Sequence, residues 1–271
     1  MNWGRMSRAE RDAAYNNSAA VKNSAELNAA REQASAAFRA AHPEKLGLAY
    51  GPRARNRWDL FPAADPNAPC LVFIHGGYWQ RNSREQFACL IEGPYARGWS
   101  CALPGYTLGP DATMTEIVAE ILAALDWLAE NGPAHGIRGP VVLSGWSAGG
   151  HLTAMALGHP LVRAGLAISG LFELGPIRDT YLNERLNITD EEIARLSPLR
   201  LPVVPKPLAI TYGTAELPPL VADSRDLHAL RAAAHAPGPL IPVAGADHFT
   251  IVLELQKPEG VLTKSLALLV G

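Results

Sequence analysis

Two glycine-rich strings, His75-Gly76-Gly77-Tyr78-Trp79 and Gly145-Trp146-Ser147-Ala148-Gly149-Gly150-His151, constrain this chain more than any other feature. Each follows a short apolar run, Leu71-Val72-Phe73-Ile74 and Val141-Val142-Leu143-Ser144, that reads as a buried strand. The second string has the spacing G-x-S-x-G and runs into a helix-like stretch. Glycines at 145 and 149 permit a sharp strand-to-helix turn that pushes the Ser147 hydroxyl outward, and the N–H of Ala148 then faces a developing oxyanion. In the first string, consecutive glycines let the backbone of Gly76 and Gly77 approach a substrate closely and turn N–H groups toward it. Together the strings predict attack of an activated serine on a carbonyl. A serine hydroxyl is a poor nucleophile at neutral pH, so a base and an orienting acid must accompany it.

His248, in Ala246-Asp247-His248-Phe249, is the expected base, because it follows the last strand run, Pro239 to Val243. His75 reads as a loop-fixing residue and His151 as a core histidine one helical turn past Ser147. His42, His135, His159, His228 and His235 read as surface. The expected acid is Glu216, in the turn after Leu208-Ala209-Ile210-Thr211-Tyr212, where a carboxylate can accept from the imidazole and fix its tautomer. Asp223 and Asp226 fall further along, on the next helix, and Asp247 adjoins the histidine awkwardly. Tyr78, Trp79, Trp146, Phe172 and Phe249 are expected to bind substrate, with core packing as the alternative for some of them. No histidine or cysteine pair has metal-ligand spacing, and the chemistry needs no metal or organic cofactor.

Along the chain, Ser7 to His42 is rich in Ala, Glu, Arg and Asn and predicts one or two amphipathic helices, broken near Asn16-Asn17. From Leu46 onward, strands alternate with helices. Strands are predicted at Leu71–Ile74, Ser100–Leu103, Val141–Ser144, Leu166–Ser169, Leu208–Tyr212 and Leu240–Val243. Helices are predicted at Ser83–Arg97, kinked or ended by Pro94, and at Thr115–Glu130, His151–Leu157, Leu227–Ala234 and Leu262–Val270. This alternation argues an α/β fold with a mostly parallel central sheet flanked by helices. The division expected is an N-terminal helical segment, 1–45, contributing to a cap, and a main domain, 46–271. The latter carries a cap insertion at 172–207, a charged, proline-bearing stretch over the pocket end of the sheet.

The chain has 271 residues, 48% of them hydrophobic, and a net charge of -2, so neither nucleic acid nor an anionic membrane is expected as partner. The partner expected is a small-molecule ester or formamide; a homodimer is left open. Met1–Arg5 lacks the apolar core of a signal peptide, and the three cysteines read as reduced thiols. Both point to a cytoplasmic protein.

From Leu46 to the C-terminus these strings resemble the α/β-hydrolase superfamily, and within it the kynurenine formamidase (arylformamidase) and hormone-sensitive-lipase-like esterase group. Tyr106-Thr107-Leu108-Gly109-Pro110 and Ser169-Gly170-Leu171-Phe172-Glu173-Leu174 are similar to strings of that group. The resemblance implies an α/β-hydrolase fold with a small helical cap, Ser147 as nucleophile, His248 as base, and Gly76, Gly77 and Ala148 as oxyanion donors. The group's acid, often aspartate, would fall on Glu216. The activity expected is that of a carboxylesterase on small acyl groups through an acyl-enzyme. The alternative is an arylformamidase on N-formylkynurenine, and a more distant one is a non-catalytic receptor on the same fold.

Overall fold

Short apolar runs separated by helical segments assemble into one eight-stranded sheet covered on both faces. The computed structural model describes residues 3–270; Met1, Asn2 and Gly271, the outer ends of the two expected segments, lie outside the described residues. The strands are β1 (Leu48–Ala49), β2 (Arg57–Phe61), β3 (Cys70–Ile74), β4 (Ser100–Pro104), β5 (Val141–Trp146), β6 (Val162–Ile168), β7 (Leu208–Gly213) and β8 (Leu240–Val243), in the spatial order β1-β2-β4-β3-β5-β6-β7-β8. From β4 to β8 all neighbours are parallel; β1 and β2 add an antiparallel edge. Successive side chains of a strand face opposite sides. In β3, Cys70, Val72 and Ile74 therefore join one hydrophobic core, and Leu71 and Phe73 the other.

The helices are α1 (Arg8–Ala14), α2 (Asn17–Ala20), α3 (Ser24–Ala41), α4 (Glu92–Ala96), α5 (Met114–Asn131), α6 (Ala148–Ala156), α7 (Gly175–Arg178), α8 (Asn183–Leu186), α9 (Asp190–Leu196), α10 (Pro218–Ala233), α11 (Leu253–Gln256) and α12 (Val261–Leu268). Helix α5 starts at a capping box, with Thr113 bonded to the Glu116 N–H and Glu116 reaching back, and buries Ile117, Val118, Ile121, Leu125 and Leu128. The N-terminal break falls at Asn16, whose side chain caps α2. The 172–207 stretch forms α7, α8, α9 and a 3-10 turn at Pro198–Arg200.

Three expectations are corrected. Strands β1 and β2 were not foreseen: β2 reads Arg57-Trp58-Asp59-Leu60-Phe61, and its charges hide it. Asp59 is nonetheless buried, because Arg39 of α3 (2.9 Å), Arg84 (3.0 Å) and the Gly47 N–H (2.9 Å) all engage its carboxylate. The single helix expected at Ser83–Arg97 is a 3-10 helix, Arg84–Ile91, followed by α4. Pro94 lies in the first turn of α4, where a missing N–H is tolerated, so it neither kinks nor ends a longer helix. Helix α10 begins at Pro218 rather than Leu227, the prolines at 218 and 219 being suited to a first turn.

At the far edge, Ile210 N–H bonds to Pro239 O and Thr214 N–H to Val243 O. Alternate residues of β8 therefore face β7, and Pro242 lies on the outward-facing register.

Candidate active site

Ser147 sits between β5 and α6 with φ 59° and ψ -118°, a backbone conformation that L residues rarely adopt. Such strain costs about 1–3 kcal/mol and persists only where the surroundings enforce it. Here the Ser147 N–H bonds to Ile168 O (2.8 Å) and its carbonyl accepts from His151 N (3.1 Å). The turn also needs close backbone approach: a Cβ on Gly149 would lie 2.0 Å from Ile74 O. The serine is almost fully buried, and its hydroxyl makes no hydrogen bond among the described residues.

His248, from the loop after β8, lines the same cavity as Ser147. Its Nδ1–H donates to Glu216 Oε2 (2.9 Å), with a buried ring and a fully buried carboxylate. The other carboxylate oxygen, Oε1, accepts from Gly213 N–H (2.7 Å) and from the Ser169 hydroxyl (2.5 Å). With the carboxylate this fully engaged, the imidazole is held in the tautomer that leaves Nε2 unprotonated. Trp146 Nε1–H donates to the His248 carbonyl (2.9 Å), and the two rings lie 4.8 Å apart. Asp247 is not part of this arrangement; it accepts from Phe249 and Thr250 N–H within its own turn. Asp223 instead accepts from Phe172 and Glu173 N–H, and burial pushes its carboxyl up to about 7.

The glycine loop is anchored by its carbonyls. Gly76 O accepts from His75 Nδ1–H (2.9 Å) and Asn82 Nδ2 (3.2 Å). Across a trans peptide the next N–H points the opposite way, so this anchoring aims the Gly77 N–H away from the protein side of the loop. Gly77 lines the cavity, and neither its N–H nor that of Ala148 finds an acceptor among the described residues. Gly76 lies against the serine turn, where a Cβ would come within 2.6 Å of Trp146 O and 3.1 Å of Ser147 Cβ. Burial pushes His75 down to about 3, so it is neutral; its ring stacks on Tyr106 at 4.3 Å, and the Tyr106 hydroxyl donates to His75 O (3.0 Å). His151 is likewise buried and neutral, bonded to Leu196 O (2.7 Å).

The cavity measures about 70 Å³. Of the expected substrate-binding aromatics, Tyr78, Trp146 and Phe249 line it. Trp79 and Phe172 do not, a correction: both are fully buried in the core, Trp79 edge-on to His151 at 5.0 Å and Phe172 closed over Gly170.

A model of the BD-FAE family matches residues 60–159. The kynurenine formamidase of Danio rerio is 28% identical over 83% of this chain and 82% of its own length. Among solved structures, a protein from Silicibacter sp. TM1040 assigned as a thioesterase is 28% identical, with TM-score 0.82 over 95% of this chain and 99% of that one. Esterase B from Lactobacillus rhamnosis shares the fold (TM-score 0.67, 20% identical, 90% and 92% covered). The chain has the α/β-hydrolase fold and is similar to the kynurenine formamidase and esterase group.

Several lining residues of this hydrolase escape sequence reasoning. Asn16, Asn17, Ser18 and Asn28 come from the N-terminal segment, and Tyr181 from the 172–207 stretch. Asn82 and Ser169 anchor the loop and the acid from behind. Asn16-Asn17 carried a signal as a helix break and Tyr181 as an aromatic; the rest reach the site through tertiary folding alone. Among the described residues no helix of the hydrolase is long and apolar enough to cross a membrane.

Proposed function

We propose that this hydrolase cleaves carboxylic esters of small acyl groups through a covalent acyl-enzyme. The observation that carries the reading is the buried His248–Glu216 pair facing the cavity beside the strained Ser147 turn. Ser147 Oγ attacks the carbonyl carbon while His248 Nε2 takes its proton, a contact that tightens from the resting geometry when substrate binds. The N–H groups of Gly77 and Ala148 stabilise the oxyanion, with the Gly76 carbonyl anchored behind them. His248 returns the proton to the leaving group; water, deprotonated by the same imidazole, then releases the acid. Residues 1–45 and 172–207 act as the cap. A cavity of about 70 Å³ walled by Tyr78 and Trp146 suits a formyl to butyryl group. The buried, unpaired Cys70, Cys89 and Cys101 fit a cytoplasmic location.

A formamide substrate is the second reading, favoured by the kynurenine formamidase of Danio rerio, whose match spans most of both chains. Side-by-side kcat/KM on N-formylkynurenine and on p-nitrophenyl esters of graded length separates the two. Labelling by a fluorophosphonate, lost in Ser147→Ala, tests the mechanism they share. No labelling of the wild type and an ester optimum at dodecanoate would overturn the reading.

A further inference from the structure

Gly77, Tyr78 and Trp79 have φ of 123°, 49° and 55° in succession, so the loop runs left-handed through two residues with bulky side chains. L residues hold such a backbone only where neighbours enforce it. Gln80 and Arg81 N–H close the turn on Gly77 O (3.1 and 3.0 Å), and the Tyr78 side chain is held from the N-terminal segment. Its hydroxyl donates to Tyr15 O (2.7 Å) and accepts from Asn17 Nδ2 (3.0 Å). The one hydroxyl proton is used on the carbonyl, so Asn17 has to present its nitrogen. The amide is thereby fixed, and its Oδ1 is left buried without a partner among the described residues. Tyr15 is itself buried and meets Trp3 edge-on at 5.8 Å, and the Trp3 indole N–H donates to Asp179 of the 172–207 stretch (3.1 Å).

We infer that Asn17 and the Tyr15 carbonyl are positioning groups that hold Tyr78, and through it the Gly77 N–H, in the geometry of the oxyanion site; this rests on the serine-hydrolase reading above. Freed of the hydroxyl tether, the loop can relax toward right-handed backbone and rotate the Gly77 N–H off target. That N–H bonds most strongly to charge that exists only in the transition state, so the loss falls on kcat rather than on KM.

The test is steady-state kinetics on p-nitrophenyl acetate for wild type, Tyr78→Phe, Asn17→Ala, Asn17→Asp and the Tyr78→Phe/Asn17→Ala double variant, with circular dichroism as the folding check. Tyr78→Phe should lower kcat about tenfold to a hundredfold with KM changed less than about twofold. Both Asn17 variants should lose part of that, Asn17→Asp being of equal size but lacking the donor. The double variant should be no slower than Tyr78→Phe, because both changes act through one hydroxyl. Should Tyr78→Phe fail to fold, the Asn17 variants decide. An unchanged kcat, a loss confined to KM, or additive losses in the double variant would overturn the inference while leaving a Ser147-dependent wild type untouched. A Ser147→Ala protein that keeps its turnover would overturn the hydrolase reading and this inference with it.

Discussion

The Ser147–His248 end of the sheet and the N-terminal segment that walls it are held by different kinds of interaction. At the sheet end, position is set by the backbone: glycines allow neighbouring strand ends to touch, Gly149 against Ile74, and Glu216 accepts from the Gly213 N–H of its own turn. The N-terminal segment is docked instead by polar side chains reaching other elements. Arg39 reaches Asp59, Arg31 donates to Gln86 O and lies over the Phe87 ring at 4.1 Å, Ser35 accepts from Cys89 N–H, and Asp12 accepts from Tyr181 N–H. Chemistry is thus concentrated where backbone contacts constrain the turns, and pocket shape where side chains must find partners on other elements. A local change should alter rate with little effect on stability at the first region, and the reverse at the second away from the Asn17–Tyr78 contact.

The largest effect expected is at the local end. Ser147→Ala or His248→Ala should lower turnover about ten-thousandfold or more with the fold intact, measured on p-nitrophenyl acetate alongside thermal melts. Near-normal activity in either would break the division. Glu216→Gln should cost at least about a hundredfold in kcat, since the imidazole loses the group that orients it. If Asp247→Asn proves the crippling change instead, the acid lies elsewhere.

On the docked side, Asp59→Ala leaves Arg39 and Arg84 without their shared carboxylate and should lower unfolding free energy by about 3–5 kcal/mol, read from denaturant melts. The folded fraction should keep its kcat. A variant as stable as wild type would show that this clamp does not hold the segment.

The smallest effect concerns pH. Asp223, pushed up to about 7 by burial, binds a proton in the folded state that the unfolded chain has already released above about pH 4. Its contribution is therefore full at low pH and lost as pH rises through 7. His75 and His151, pushed down to about 3 and about 4 by burial, run the other way. The unfolded chain takes up their protons below about pH 6.5, so their contribution is full above that value and lost as pH falls toward 3. Between about pH 4 and 6.5 the two trends oppose each other, two histidines against one aspartate. Asp223→Asn removes one of them, so its stability should climb more steeply with pH across that window, by at most about 1.4 kcal/mol per pH unit. Parallel pH profiles for variant and wild type would refute the assignment.

The same contrast explains what could be read from the sequence. The six central and far-edge strands announce themselves as apolar runs, and the serine turn, glycine loop, Glu216 and His248 follow from their place after those runs. Strand β2 stays hidden because Arg57 and Asp59 break its pattern, and only the folded arginines explain a buried aspartate there. Trp79 and Phe172 mislead for a related reason. Adjacency to a motif fixes the backbone's position but not the side chain's direction, and both turn into the core. Asn17 is illegible locally, since its neighbours in space are distant in sequence.

Pro242 carries one further consequence. Parallel strands as apolar as those at the centre of this sheet would, at an open edge, invite a strand from a second molecule to continue the ladder. On the outward-facing register of β8, proline offers no N–H at the midpoint of a four-residue strand, and at the opposite edge β1 spans only two residues. Both rims are therefore poor templates for strand addition. Any assembly of two copies would have to form through helices or loops rather than through a continuous intermolecular sheet.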